Sequence, residues 1–206
     1  MQEKDIYNEL SSIRNLMERS TKFISLSGLS GVLAGIYALI GAFIGYKLVD
    51  SDFGELDYKD QYVTEPRVLL ELFLIAVTVL LLSLLTCIFL TIRQARKRGE
   101  NFWNPVSQRL VVNMSIPLFT GGLFMLILLF QGSYGIIAPA SLIFYGLSLI
   151  AGSQFTFSDV KWLGYCQIII GLAAMLFPAY SILFWMMGFG LLHIIYGSVM
   201  HFKYKQ

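Results

Sequence analysis

The sequence predicts an all-α polytopic membrane protein of six transmembrane helices, preceded by an N-terminal amphipathic helix. Three observations carry that prediction. Hydrophobic residues make up 56% of the 206 and charged residues 14%, against roughly 25% charged in an ordinary soluble domain. Six apolar runs follow one another, at about 23–49, 68–92, 110–130, 136–152, 162–177 and 181–200, and a helix needs ~17–25 such residues to cross a ~30 Å hydrocarbon core. The charges between the runs are sorted by sign. Residues 47–71 are mainly acidic, whereas Arg93, Arg96, Lys97, Arg98 and Arg109 face Glu100 alone over 93–109.

Residues 1–22 read as an amphipathic helix. Ile6, Leu10, Ile13 and Met17 recur at helical spacing, with Lys4, Asn8, Ser11, Asn15 and Glu18 on the other side. Its acids and bases balance, which argues for packing beneath its own bundle or against a partner rather than for adhesion to anionic lipid.

The first span carries no charge until Lys47. Ser27, Gly31, Gly35, Ala38, Ala42 and Gly45 follow one another every three or four residues, on one helix face. Lipid supplies no hydrophobic force between helices, so association relies on the close backbone approach that small residues permit. This helix is therefore expected to be the post against which others pack, and the seam is also a candidate for self-association. Leucine at Gly35 should force helices apart, and alanine there should be much milder.

An acidic loop, 50–67, leads to the second span, which only Glu71 interrupts, four residues after Arg67. An interfacial ion pair is the expectation there. The span ends in the basic cluster 93–98, with Gly99 placed to close the helix. Asn104 and Pro105 then read as the N-cap and first residue of the next helix. Short turns at 131–135 and 178–180, and a polar stretch at 153–161, separate the last four spans.

Six spans place both ends of the chain on one side, and the distribution of Lys and Arg makes that side cytoplasmic. Twelve of the fifteen basic residues then lie inside and the acidic loop outside. Trp103 and Trp162 fall at the inner interface, and Tyr46, Tyr134 and Tyr180 near the outer one.

Tyr145 to Ser153 in the fourth span reads, with one gap, against Phe189 to Ser198 in the sixth. A duplicated hairpin would make the fold three hairpins, the first more diverged. In the last hairpin, Leu163-Gly164, Gly171-Leu172, Leu176-Phe177-Pro178, Trp185, Gly188, Leu191-Leu192 and Gly197 resemble the HdeD-type acid-resistance membrane proteins. The resemblance covers about 40 of the 206 residues. It implies a small six-span protein of the bacterial inner membrane built from repeated hairpins. His193, the N-terminal helix and the acidic loop are not part of that pattern.

Intramembrane ionisable or backbone-breaking residues are the candidate functional positions. His193 lies near mid-membrane, either as a hydrogen-bonded core histidine or as a proton-sensitive gate, since an unperturbed imidazole titrates at ~6.5. Pro117 leaves the carbonyl of Asn113 without its helical amide, the device by which broken transporter helices build midplane sites, or else a plain kink. Gln167 is a further polar candidate. Arg109 can snorkel to the headgroups.

The two histidines, His193 and His201, lie ~12 Å apart along one helix and cannot ligate one haem iron from both sides. No hydrolase, phosphate-loop or metal motif is present, so neither cofactor nor metal is expected. The basic cluster reads as lipid-facing, not as a nucleic-acid site. The expectation is a non-enzymatic membrane protein for packing, sensing or partner binding. A channel or transporter for a small ion or solute comes second, and an intramembrane enzyme a distant third.

Overall fold

The computed structural model describes residues 27–53, 66–99 and 101–204. Those residues form six helices and no strand: α1 (Gly28–Phe53), α2 (Pro66–Lys97), α3 (Pro105–Phe130), α4 (Ile137–Gly152), α5 (Val160–Leu176) and α6 (Ser181–Lys203). Five are long and apolar enough to cross a membrane, α4 together with the 3-10 turn Tyr134–Ile136 that precedes it, and α5 is a shorter apolar helix of 17 residues. The chain is an all-α polytopic membrane protein. The expected N-terminal helix, 1–22, and most of the acidic loop lie outside the described residues.

Local signals set the helix ends. Gly99 has φ +68°, a left-handed conformation that glycine adopts without steric cost, and it closes α2. Asn104 accepts hydrogen bonds from the amides of Val106 and Ser107, and the Ser107 hydroxyl returns one to the Asn104 amide, completing a capping box ahead of Pro105. Two boundaries move outward from expectation. α1 continues to Phe53, so the loop does not begin at Asp50, because no proline or glycine interrupts 46–53. α2 begins at Pro66, whose missing amide costs nothing in a first turn.

The helices pack in the order α2, α1, α6, then α5 and α4 together, then α3. α6 rather than α1 is therefore the hub, because its glycines open in three directions. A Cβ on Gly197 would meet the Gly28 carbonyl oxygen of α1 at 2.6 Å, and one on Gly188 would meet Leu142 of α4 and, at 2.6 Å, Gln167 of α5. The α1 seam is filled from within the chain. Gly31 and Gly35 face α6, Ala38 and Ala42 are buried, and Gly45 faces Leu72 of α2. Within the chain, that stripe packs against α6 and α2.

α4 and α5 make the closest pair, with Gly146 and Gly164 opposed so that a Cβ on either would lie 2.7 Å from the other's carbonyl oxygen. The first two expected hairpins, α1–α2 and α3–α4, are formed. The third is looser, since α5 packs chiefly on α4 and α6 chiefly on α1. Leucines and phenylalanines such as Leu85, Phe89 and Phe119 point outward from α2 and α3, as lipid contact requires.

One end of the bundle is tied together. Lys203 donates to Asp159 at 2.7 Å, the Tyr204 hydroxyl donates to the same oxygen at 2.9 Å, and the Phe157 and Tyr204 rings lie 4.2 Å apart.

Candidate functional site, a polar cluster between α4, α5 and α6

Halfway along α6, residues Met186–Leu192 form a π-helical turn. Such turns are rare and recur at functional sites. Here it lies where Gly188 and Gly190 let α6 approach other helices on two sides. Leu142 of α4 and Gln167 of α5 fill the space over Gly188, and Leu39 of α1 fills the space over Gly190. His193 follows the turn directly, roughly 15 Å by helical rise from Lys203 and so near mid-membrane.

The His193 ring is buried, at 7% exposure, and both its nitrogens are engaged. Nδ1 lies 3.0 Å from the carbonyl oxygen of Gly188, and Nε2 lies 2.8 Å from the Tyr145 hydroxyl of α4. A carbonyl can only accept, so geometry assigns the proton to Nδ1 and leaves Nε2 to accept from Tyr145. Gln167 of α5, fully buried, donates from Nε2 to the same Gly188 carbonyl at 2.8 Å. That nitrogen stands 3.4 Å from His193 Nδ1. With both groups acting as donors, this is two donors sharing one acceptor and not a bond between them. Gln167 Oε1 is buried without a partner.

Aromatic rings enclose the cluster. Tyr145 and Phe189 lie 5.1 Å apart, Phe189 stacks on His193 at 6.0 Å, and Trp185 stands 5.0 Å from Phe189. Among the described residues no carboxylate touches His193, and no group of acids, histidines and cysteines is placed to hold a metal.

Of the four positions read from the sequence, His193 and Gln167 meet and Asn113 and Pro117 stand apart. Both of the latter are on α3, whose packing partner is α4. α3 runs unbroken through Pro117. The Asn113 side chain turns back to the carbonyl of Arg109 at 2.8 Å, and Ser115 and Thr120 bond the carbonyls of Val111 and Ile116. Ser148 of α4, fully buried, donates to the Met114 carbonyl at 2.9 Å, within the turn that Pro117 disturbs. The helix is not broken into a midplane site, and the serine bonds the carbonyl next to the one that Pro117 frees. Arg67 and Glu71 make the expected i,i+4 pair at 3.0 Å.

Sequence reasoning missed Tyr145, the Gly188 carbonyl and the π-helical turn. The one signal was the alignment of Tyr145 with Phe189, two residues that pack together here. No family model, curated protein or solved structure matches the chain.

Proposed function

We propose that the chain is a non-enzymatic integral membrane protein that senses conditions or engages a partner, with the His193 cluster holding α6 against α4 and α5. The observation that carries this reading is the double engagement of a buried imidazole, Nδ1 on the Gly188 carbonyl and Nε2 on Tyr145. A proton added at Nε2 converts an acceptor into a donor. Tyr145 must then turn its hydrogen away, and a positive charge stands among aromatic rings with no carboxylate in contact. A buried charge without a counter-ion is costly, so protonation favours a repacked or hydrated arrangement of α6. Such a residue couples pH to helix packing without catalysing a reaction.

Trp185 reports on the test through its contact with Phe189. Its fluorescence and the thermal stability should both change between about pH 5 and 8 in the wild type. That change should vanish in His193→Phe and His193→Gln. Persistence of the wild-type pH dependence in both variants would end the switch reading.

Passage of a small ion or solute is the second reading, and the unpartnered Gln167 Oε1 favours it. Flux into proteoliposomes across a panel of ions, compared between the wild type and Gln167→Leu, tests it directly. The reading places the protein in the inner membrane of a bacterium, with both ends cytoplasmic. Its support is that α2 ends, α6 ends and the 153–159 loop lie together, along with the start of α1, at the end carrying Arg93, Arg96, Lys97, Arg98 and Lys203.

A further inference from the structure

The end of the bundle where α1 begins and α2 and α6 finish contains a cavity of about 270 Å³. Arg93 and Lys97 line one wall, four residues apart and so on one face of α2. His201 and Tyr204 of α6 line another, and Phe157 from the α4–α5 loop contributes an apolar side. Arg98, which has a partner of its own, also borders it. No carboxylate lines the cavity among the described residues. Asp159 lies just behind Tyr204, already held by Lys203 and by the Tyr204 hydroxyl. Neither Arg93 nor Lys97 makes an ion pair among the described residues.

We infer that this cavity binds the phosphate headgroup of an anionic phospholipid. Two cations with no ion-pair partner among the described residues line one half-open cavity at a membrane boundary, and an anion there satisfies both. The arginine fork grips two phosphate oxygens and the lysine adds a point charge. Gln94, on the same wall, and the first turn of α1 also line the cavity, where amide donors suit an anion. The volume lies just under the ~300 Å³ at which pockets for drug-sized ligands begin, which suits a headgroup. Exposed leucine and phenylalanine side chains of α2, Leu85 and Phe89 among them, lie within three turns and offer a surface for acyl chains. The inference is independent of His193 and holds whichever side of the membrane this end faces.

The test uses the full-length protein in nanodiscs of phosphatidylcholine, alone or mixed with phosphatidylglycerol. Melting is followed for the wild type, for the double variant Arg93→Gln with Lys97→Gln, and for Arg96→Gln, an exposed neighbour outside the cavity. Both cavity cations are themselves exposed at the helix end, so the double variant should fold, and Lys97→Gln alone provides a milder step. Phosphatidylglycerol should raise the Tm of the wild type and of Arg96→Gln by several degrees. The double variant should lose most of that rise and Lys97→Gln part of it. Inorganic phosphate added to phosphatidylcholine discs should leave the wild-type Tm unchanged.

Three results would overturn the inference. An equal rise in every variant would mean general surface charge. A rise with inorganic phosphate alone would mean a site for soluble anions. No rise in the wild type would mean that the cavity does not take up the lipid headgroup.

Discussion

Alanine at Gly35 tests the packing of α1 on α6 most sharply. The added Cβ would lie 2.6 Å from the Gly190 carbonyl oxygen, 2.7 Å from Ile194 Cγ1 and 3.0 Å from the Ile194 amide nitrogen. Ordinary contact begins at 3.4 Å, so the two backbones must separate by about 0.8 Å. A gap of that size forfeits roughly a quarter to a half of each van der Waals contact along the interface. Overpacking of this kind costs about 1–3 kcal/mol, against which alanine's helix preference over glycine returns ~1 kcal/mol. The net expectation is a loss of up to about 2 kcal/mol, and leucine should be worse. Alanine at Gly35 is thus not the mild change that the glycine spacing alone implies, because the obstacle is backbone and cannot swing aside.

Two other glycines calibrate the measurement. A Cβ at Gly31 comes no nearer than 3.3 Å to Gly197 Cα, so Gly31→Ala should be close to neutral. At Gly122 nothing lies within 4 Å, and alanine should stabilise by up to ~1 kcal/mol. Thermal unfolding of the three variants in one detergent should rank Gly122→Ala highest, Gly31→Ala next and Gly35→Ala lowest. The extremes should differ by about 1–3 kcal/mol, or roughly 2–12 °C in Tm on the soluble-protein scale. A Gly35→Ala protein that melts at or above Gly122→Ala would show that α1 does not meet α6 in this way.

Three further expectations follow from named contacts. Ser148→Ala removes the bond to the Met114 carbonyl and should cost about 0.5–2 kcal/mol, and an unchanged Tm would mean that this bond does not hold α3 to α4. The hydrogen bond from Lys203, aided by that from Tyr204, holds the Asp159 carboxyl below its usual range. A depressed carboxylate contributes stability above about pH 4 that is lost as acid protonates it. The wild type should therefore melt above Asp159→Asn at neutral pH and converge with it on acidification, and a gap independent of pH would refute the pairing. For the orientation, single cysteines at Asp57 or Lys97, in a background lacking Cys87 and Cys166, should be labelled from outside intact cells only at Asp57. Labelling at Lys97 would reverse the assignment.

Much of this protein was determined along the chain itself. Crossing hydrocarbon demands long uninterrupted apolar helices, so their number and approximate bounds were legible from composition and run length. Gly99, Asn104 and Pro105 marked helix ends because capping is a local matter of a few bonds between near neighbours. The small-residue face of α1 was legible too, since spacing of three and four fixes a face whatever it meets. Spacing could not say which helix fills that face, or how near the filling atom comes. Asn113 and Pro117 carried a strong local signal, yet their helix ended at the edge of the bundle, where the Asn113 side chain turns back to its own helix and α4 reaches only the neighbouring Met114 carbonyl. His193 and Gln167 are 26 residues apart in sequence and share one carbonyl only because α5 and α6 both reach Gly188. Tyr145, marked in the sequence only by its alignment with Phe189, became the partner of His193 through the packing of α4. Helices in a membrane are each stable alone, and which of them meet is settled by shape and hydrogen bonds between faces, terms that exist only once the tertiary structure has formed.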